Sequence, residues 1–263
     1  MRLANRPPMQ YTQRPDLYDL IHPEDFMPGE REFYLALARE AGGPVLELAY
    51  GTGRVGLYLA RHGIEVMGLD LSASMLGRAR QVLAGEPLEV SRRVTLVEAS
   101  MADFDLGRRF GLIYVPFRAF LHLRTQEEQR SCLRRVADHL TDGGRFAGNF
   151  FQPNPLLLPS YSSVRVDGTK ATPDGGRVVQ SHWCPRSDLV EQSKLVLMRL
   201  ERFDAAGRLV ESGVHDLELT WIHGREWRLL LEIEGFELER LEGGFQGQSL
   251  HEGDEYVWVA RRR

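Results

Sequence analysis

Three glycines and one carboxylate stand at a spacing that suits the binding of a nucleotide. Gly51, Gly53 and Gly56 satisfy the pattern G-x-G-x-x-G, and Asp70 follows at about the distance expected of an acid that holds a ribose diol. Glycine lacks the Cβ atom that forbids positive φ, so this loop can turn sharply and approach a ligand closely. A carboxylate can accept hydrogen bonds from both hydroxyls of a diol. Together these residues predict a nucleotide site.

The residues around the glycines predict the elements that would position them. Val45 to Ala49 is an apolar run too short for a helix, which favours a buried parallel strand. Arg54 to His62 has the spacing of a helix whose N-terminus points at the loop, and Gly63 ends it. Ile64 to Leu69 predicts a second strand, which places Asp70 just past its end. The unit is therefore strand, loop, helix and strand.

Two classes of ligand fit such a unit, and Glu47 discriminates between them. In a dinucleotide fold the glycines approach a pyrophosphate, and a carboxylate in the strand before them would add negative charge beside negative charge. S-adenosylmethionine has no phosphate and carries a cationic ammonium and a sulfonium, for which a nearby acid is favourable. Its ribose also offers two hydroxyls to Asp70. The position of Glu47 therefore favours S-adenosylmethionine.

The same residues resemble the first motif of the class I S-adenosylmethionine-dependent methyltransferases. That motif runs acid, x, Gly or Ala, x, Gly, x, Gly, and here it stands as Glu47-Leu48-Ala49-Tyr50-Gly51-Thr52-Gly53. The resemblance continues through Gly68-Leu69-Asp70-Leu71-Ser72 and Met75-Leu76, and it covers about residues 10 to 151 and 224 to 263. It implies a methyltransferase with S-adenosyl-L-methionine as its cofactor. Because members of this superfamily differ widely in substrate, the resemblance says little about the acceptor.

The motif positions and the resemblance together yield a set of expected cofactor-binding residues: Tyr18, Glu47, Ala49, Gly51, Gly53, Arg54, Asp70, Leu71, Met75, Ser100, Met101 and Pro116. Arg54 at the helix start could pair with the cofactor carboxylate, or it could be a solvated residue of the first turn. Ser100 replaces the aspartate that accepts from the adenine amino group in the family, and Met101 is a soft contact for the ring. Ser72 is expected to cap the next helix.

The resemblance implies an α/β fold with a Rossmann-like, mostly parallel sheet of seven strands in the order 3-2-1-4-5-7-6. The pattern of apolar and polar residues changes after residue 151. Partly alternating stretches there predict an antiparallel β-sheet inserted after strand 5. We expect an N-terminal helical lid at 1–43, the cofactor-binding domain at 44–151 and 224–263, and an insertion at 152–223 that covers the substrate site.

The acceptor is expected at the carboxyl edge of the parallel sheet, where open α/β folds bind their ligands. The residues expected to line its site are Tyr11, Phe117, Arg118, His182, Trp183 and Trp221. Most of them are aromatic, which predicts an enclosed chamber for a small organic molecule rather than for a duplex. His122, shortly after the fourth strand, is the candidate proton acceptor, because the pKa of a histidine lies near working pH. Methyl transfer otherwise depends on proximity and orientation.

Composition narrows the expected partners and location. The formal net charge is −4 and the pI is about 6.1, which does not favour nucleic acid or an anionic membrane as a partner. The two cysteines, Cys132 and Cys184, are far apart and lack metal-ligand spacing, so we expect a reducing, cytoplasmic environment and no metal. Residues 1 to 16 show no signal peptide. A small-molecule substrate is expected, and the sequence is compatible with a homodimer.

Two other functions use similar sequence features. A nicotinamide-dependent oxidoreductase shares the G-x-G-x-x-G pattern, but it predicts no acid in the first strand and needs a downstream proton-transfer set, which the sequence does not show. A non-catalytic module that binds S-adenosylmethionine would carry the same motifs, and the sequence alone does not separate it from an enzyme.

Overall fold

The structure, a computed structural model, describes residues 15–153 and 163–263 and divides the chain into two compact units. The α/β unit comprises Glu24–Gln152 and Trp221–Arg263. The β-sheet unit comprises the N-terminal residues through Pro23 and the segment Pro153–Thr220. The first helix therefore groups with the inserted sheet, and the second helix groups with the α/β unit. The lid and covering roles expected for these segments stay predictions.

The α/β unit contains a sheet of seven strands. Their bounds are β1 (Val45–Leu48), β2 (Val66–Asp70), β3 (Val94–Glu98), β4 (Phe110–Val115), β5 (Leu140–Phe151), β10 (Phe236–Glu242) and β11 (Glu255–Arg262). The strand order is β3-β2-β1-β4-β5-β11-β10, and β11 pairs antiparallel with both β5 and β10. The first five strands are parallel to one another. This confirms the predicted order 3-2-1-4-5-7-6.

The interior position of β1, between β2 and β4, explains its burial. All four of its residues are buried, since the strand has neighbours on both edges and helices cover the sheet. The helices of the unit are α2 (Glu30–Ala41), α3 (Gly56–Arg61), α4 (Ala73–Ala84), α5 (Leu88–Ser91), α6 (Gln126–His139) and α7 (Gly224–Ile233). A 3₁₀-helix, Ala119–His122, follows β4.

Side chains cap the first turns of two helices, α4 and α6. The Ser72 hydroxyl accepts from the Met75 amide at 3.3 Å, which confirms Ser72 as the cap of α4. Thr125 and Glu128 form a capping box at the start of α6. None of the helices in the described ranges combines the length and the apolar character that crossing a bilayer requires.

The β-sheet unit consists of helix α1 (Pro15–Ile21) and an antiparallel sheet in the order β6-β7-β8-β9. The strands span β6 (Arg165–Ala171), β7 (Arg177–Asp188), β8 (Ser193–Phe203) and β9 (Leu209–Thr220). Leu17 and Ile21 of α1 form a small core with Val178 and Leu200. The turn between β8 and β9 is held by Asp204, whose Oδ1 accepts from two backbone amides. The predicted antiparallel insertion is confirmed.

Candidate active site

The carboxyl ends of β1 and β2 place the glycine loop beside Asp70. The two strands are parallel with Leu48 paired to Leu69, and the Tyr50 amide donates to the Leu69 carbonyl at 2.9 Å. The loop turns through left-handed residues, with φ of 57° at Ala49, 61° at Gly51 and 100° at Gly53. Glycine adopts this conformation without strain and alanine does not. The backbone of this loop therefore faces the edge where a ligand would lie.

Asp70 is already tied to the loop by its carboxylate. Its Oδ2 accepts from the Gly51 amide at 2.7 Å, and its Oδ1 accepts from the Ser72 amide at 2.8 Å. Burial raises the pKa of Asp70, and the two amide hydrogen bonds act in the opposite direction. A carboxylate oxygen has two lone pairs, so each oxygen retains one for a ligand hydroxyl. Asp70 has both the position and the acceptor capacity for a ribose diol.

Glu47 lies deeper than the sequence suggested. Its side chain is 1% exposed, and its Oε2 accepts from the Tyr114 hydroxyl at 2.8 Å. Burial raises the pKa of Glu47 to about 8, despite that hydrogen bond and the guanidinium of Arg54. At neutral pH the group is therefore mostly protonated. A cation bound nearby would favour its ionised form.

Tyr50 occupies the space that the glycines of the motif leave open. A Cβ atom added at Gly53 would lie 2.9 Å from the Tyr50 hydroxyl, and one at Gly68 would lie 2.2 Å from the ring. At Gly56, the added atom would lie 2.4 Å from both the ring and the Glu47 carboxylate. Gly51 differs, since only the Met75 methyl group, at 3.7 Å, is near. Gly53, Gly56 and Gly68 thus accommodate Tyr50, and Gly51 leaves open space for a ligand.

Arg54 forms a buried ion pair with Glu30 of α2, at 2.5 Å between Nη2 and Oε2. Arg54 is therefore not the solvated first-turn residue of the alternative expectation. Its Nη1 atom is buried and has no hydrogen-bond partner in the described ranges. That donor remains for an anionic group, and the contact with the cofactor stays a prediction.

The other expected cofactor residues of the α/β unit follow β2, β3 and β4. Leu71 is 65% exposed beside Asp70, whereas Met75 is buried next to Gly51. Ser100 and Met101 are half-buried after β3, and the Ser100 hydroxyl accepts from the Ala102 amide at 3.2 Å. Ser100 is therefore engaged in its own turn, although its hydroxyl proton can still be donated. Pro116 is buried at the end of β4.

The turn after β4 brings Phe117, Arg118 and His122 to this edge. Phe117 and Arg118 both adopt left-handed conformations, with φ of 56° and 63°. Arg118 is paired with the buried Glu255 of β11, and its Nε lies 2.7 Å from Oε1, so Arg118 is not an unpaired cation awaiting a substrate. His122, the last residue of the 3₁₀-helix, keeps part of its surface exposed, and desolvation of the rest of its side chain lowers its pKa to about 4. Its imidazole is neutral at physiological pH.

The other expected acceptor residues, and the expected cofactor residue Tyr18, do not belong to the turn after β4. Tyr11 lies outside the described residues. Tyr18 lies in α1, within the β-sheet unit, and its ring is tilted against His22 at 4.4 Å between centroids. His182 and Trp183 are consecutive residues of β7 and point to opposite faces of that sheet, so one surface cannot contain both. Trp221 is buried at the start of the second segment of the α/β unit.

His182 and Trp183 also have partners of their own. The His182 Nδ1 atom lies 2.5 Å from Asp167 Oδ1, and the Arg199 guanidinium lies over the Trp183 ring at 5.4 Å. The acceptor roles of these residues, like those of Tyr11 and Trp221, stay predictions, and so does the cofactor contact expected of Tyr18.

Sequence reasoning missed Glu30, Tyr50 and Tyr114. Glu30 begins an amphipathic helix and Tyr114 stands in an apolar strand, so neither showed a local sign of its contact with Arg54 or Glu47. Tyr50 was an unspecified position of the motif. Its bulk beside several glycines is the one signal that could have indicated that those glycines accommodate a side chain.

The residues present fit the cofactor that the resemblance implies. Asp70 retains acceptor capacity, Gly51 faces open space, and the buried Nη1 of Arg54 can donate to a carboxylate. No group of three or more His, Cys, Asp or Glu side chains in the described ranges could hold a metal ion. The arrangement suits a ligand that is bound through its ribose diol, its carboxylate and its apolar ring.

Comparison with known proteins agrees with this geometry. Residues 45–144 match a family model described as a methyltransferase domain. The chain is 34% identical over 247 residues to a dTDP-3-amino-3,6-dideoxy-alpha-D-glucopyranose N,N-dimethyltransferase of Streptomyces fradiae, covering 90% of this chain and 89% of the relative. It is 28% identical over 260 residues to a dTDP-3-amino-3,4,6-trideoxy-alpha-D-glucopyranose N,N-dimethyltransferase of Streptomyces venezuelae, covering 93% of this chain and 99% of the relative.

A solved structure is similar over nearly the whole chain, including the insertion. The CcbJ methyltransferase from Streptomyces caelestis superposes with a TM-score of 0.75 and 26% identity, covering 95% of this chain and 96% of that chain. The match to the methyltransferase model includes the glycine loop and Asp70, which favours a methyltransferase over a nicotinamide-dependent oxidoreductase. The chain therefore belongs to the class I S-adenosylmethionine-dependent methyltransferases, and its cofactor is S-adenosylmethionine.

Proposed function

We propose that this enzyme methylates the amino group of a small, nucleotide-linked amino sugar. The observation that carries the proposal is the similarity to the two sugar N,N-dimethyltransferases, which extends through the inserted sheet as well as the cofactor domain. The cofactor motifs are shared with methyltransferases of many substrates, whereas the insertion is not part of those motifs. Similarity across the insertion therefore supports a related acceptor.

The state of His122 supports an amine acceptor. An amine attacks the methyl group only as the free base, and it must lose a proton before or after the transfer. The neutral imidazole of His122 can accept a hydrogen bond from the amine N–H and so orient the nitrogen lone pair. S-adenosylmethionine supplies the methyl group on a sulfonium, which needs no further activation by the protein. The residues of the chain contribute position and orientation.

The charges that surround this turn also fit a neutral acceptor nitrogen. Arg118 is paired with Glu255, and Arg54 is paired with Glu30, so both cations near the turn are already compensated in the protein. Because both charges are compensated, neither ion pair offers a free carboxylate that would hold the amine as an ammonium. His122 is then the polar group through which the nucleophile would be oriented.

A panel of acceptors tests the proposal directly. Purified enzyme and S-adenosylmethionine are incubated with a dTDP-linked 3-amino sugar, the free amino sugar, a peptide with a free N-terminal amine, a phenol and a carboxylate. We expect one or two methyl groups on the nitrogen of the dTDP-linked sugar, detected by mass spectrometry together with S-adenosylhomocysteine. Methylation of the phenol or the carboxylate without turnover of any amine would overturn the proposal.

We also infer a homodimer and a cytoplasmic location. Support for the dimer comes from exposed apolar side chains on the two edge strands of the inserted sheet, which are Val166, Leu209, Val210 and Val214. Support for the location comes from the two free cysteines, Cys132 and Cys184, and from the use of an intracellular cofactor. Light scattering after size exclusion tests the dimer, and a monomer at micromolar concentration would contradict it.

A further inference from the structure

The turn that follows β4 is strained at two consecutive positions. Phe117 and Arg118 both have positive φ, of 56° and 63°, although neither is a glycine. Left-handed conformations are unfavourable for side chains of this size, and they persist only when surrounding contacts hold them. The 3₁₀-helix that ends at His122 begins at the next residue. Whatever holds the turn therefore also sets the place of His122.

Glu30 holds the first of these two residues. The Phe117 amide donates to Glu30 Oε1 at 3.1 Å, across 87 positions of the chain. The other oxygen of the same carboxylate lies 2.5 Å from Arg54 Nη2. The Arg54 guanidinium also lies 5.1 Å from the centroid of the Phe117 ring. One acid thus contacts both the helix start after the glycine loop and the turn after β4.

Because Glu30 is buried, its carboxylate lowers the stability of the fold unless it keeps its contacts with Arg54 and with the Phe117 amide. Its side chain has no exposed surface, and burial raises its pKa against the opposing effect of Arg54. A buried carboxylate is tolerated when it is paired and hydrogen-bonded, as it is here. Glu30 is also the first residue of α2, where the helix dipole favours an acid.

A second buried acid holds the other strained residue. Glu255 of β11 accepts from the Arg118 guanidinium through Oε1, and its Oε2 accepts from the Asn149 amide at 3.0 Å. The turn is therefore held on one side from α2 and on the other from the sheet. Of these two acids, Glu30 is the one that also pairs with Arg54, next to the cofactor loop.

We propose that Glu30 is a positioning residue for methyl transfer, which joins Arg54 beside the cofactor loop to the Phe117 backbone and so sets the position of His122. A shift of about 1 Å in a group that orients the nucleophile can lower the rate on the order of 100-fold without blocking binding. The link also couples the two halves of the site, because a ligand that moves Arg54 acts on the turn through the same carboxylate. The proposal rests on the role proposed above for His122.

The test compares Glu30→Gln with Glu40→Gln. The first variant keeps an oxygen for the Phe117 amide but places an amide N–H₂ against Arg54, and the second removes an exposed acid of the same helix that pairs with Arg145 at 2.6 Å. We measure kcat and KM for any acceptor that the wild type methylates, the Kd of S-adenosylhomocysteine, and the titration of the His122 imidazole by NMR. All assays run well below the melting temperature of each variant.

We expect Glu30→Gln to lower kcat roughly 10- to 100-fold, with KM for the acceptor and the Kd of S-adenosylhomocysteine changed less than about threefold. The pKa of His122 should move toward its ordinary value, because the imidazole leaves its desolvated position. Glu40→Gln should match the wild type in every measurement. Wild-type kcat and an unshifted His122 titration in Glu30→Gln would overturn the proposal.

Two further variants keep the test decisive. If Glu30→Gln does not fold, Glu30→Asp keeps the charge opposite Arg54 but shortens the side chain that reaches the Phe117 amide, and the same loss of kcat is expected. His122→Ala, assayed in parallel, separates this inference from the proposed function. Full turnover in His122→Ala refutes the role of His122, whereas full turnover in the Glu30 variants refutes the positioning role of Glu30.

Discussion

Glu47 and Tyr114 lie opposite each other on neighbouring parallel strands and share a hydrogen bond of 2.8 Å between Oε2 and the hydroxyl. Both side chains are buried. Burial raises the pKa of the acid to about 8, so the proton that Glu47 holds is part of the folded structure at neutral pH. The acid that marks the cofactor motif in the sequence is therefore also a titratable element of stability.

Replacement of Glu47 by glutamine should alter how stability depends on pH. Because the folded pKa of about 8 exceeds the ordinary value of 4.5, the contribution of Glu47 is fully present below pH 4.5 and is lost as the pH rises through about 8. The glutamine side chain would stay neutral at every pH and could still accept from Tyr114. The melting temperature of Glu47→Gln minus that of the wild type should therefore increase from pH 5.5 to pH 8.5.

Differential scanning fluorimetry from pH 5.5 to pH 8.5 measures this difference in melting temperature. Glu40→Gln, which replaces an exposed acid, is the control. The difference for the control should not vary with pH. A difference for Glu47→Gln that is equally constant would mean that the buried acid is ionised throughout.

Asp70→Ala should weaken cofactor binding. Hydrogen bonds to a charged group contribute about 1.5–3 kcal/mol, and about 1.4 kcal/mol corresponds to a tenfold change in Kd. We expect an increase in the Kd of S-adenosylhomocysteine on the order of 10- to 100-fold by calorimetry. Asp103→Ala, at an exposed position after β3, should bind as the wild type does. If the two variants bound S-adenosylhomocysteine with equal affinity, Asp70 would not be a cofactor-binding residue.

Substitution by alanine should have different effects on stability at Gly53 and at Gly51. At Gly53, where φ is 100°, a Cβ atom would approach the Tyr50 hydroxyl to 2.9 Å, so Gly53→Ala should destabilise the fold itself. At Gly51 only the Met75 methyl group is near, at 3.7 Å, and the cost should be the left-handed strain of about 1–2 kcal/mol. Gly51→Ala should therefore fold and bind the cofactor less tightly.

Thermal unfolding and calorimetry distinguish the two effects. Adding Tyr50→Phe to Gly53→Ala removes the hydroxyl that the new methyl group would meet, and it should recover part of the lost stability. If Gly53→Ala were as stable as Gly51→Ala, the packing of Tyr50 against the loop would be wrong.

Ala49→Gly should stabilise the protein. Ala49 has φ of 57°, a conformation that costs alanine about 1–2 kcal/mol relative to glycine, part of which is offset by the greater freedom of glycine in the unfolded chain. We expect a gain of about 0.5–1 kcal/mol in the free energy of unfolding by urea titration. Ala137→Gly, within α6, should lose about 1 kcal/mol instead. A loss in both variants would contradict the strained loop.

His122→Ala should lower kcat by about 100-fold or more if the imidazole takes part in proton transfer. Because the pKa of His122 is lowered to about 4, its own titration should give no step in the rate between pH 6 and pH 9. The rate should instead rise with pH as the acceptor amine loses its proton. His122→Gln keeps a hydrogen-bond acceptor and should recover part of the rate if orientation of the amine dominates.

His251→Ala, at an exposed loop position, provides the control for this pair of variants. A kcat of the wild-type value in His122→Ala would reject the role of His122. A step in the wild-type rate near pH 6.5 that disappears in that variant would show that the imidazole titrates at its ordinary value.

The sequence by itself determined the cofactor and the sheet. Glycine at 51 and 53 and an acid at 70 predicted a nucleotide site, because backbone freedom and a diol acceptor are properties of single residues at a local spacing. Glu47 and the resemblance to the methyltransferase motif then favoured S-adenosylmethionine over a dinucleotide. The short apolar runs at β1 and β2 predicted buried parallel strands, the resemblance implied the order of the seven strands, and the alternating stretches after residue 151 predicted an antiparallel sheet. Both expectations are confirmed by the strand order.

Tertiary structure alone decided which charges face each other. Glu30, in α2, and Arg54, in the turn before α3, are 24 positions apart, and Glu255 lies 137 positions from Arg118, so no periodicity could pair them. The pKa of Glu47 likewise depends on burial in the folded sheet and on Tyr114, which lies 67 positions away in the chain. Local spacing encodes backbone conformation and burial, whereas the partner of a buried charge is fixed only when distant segments pack together.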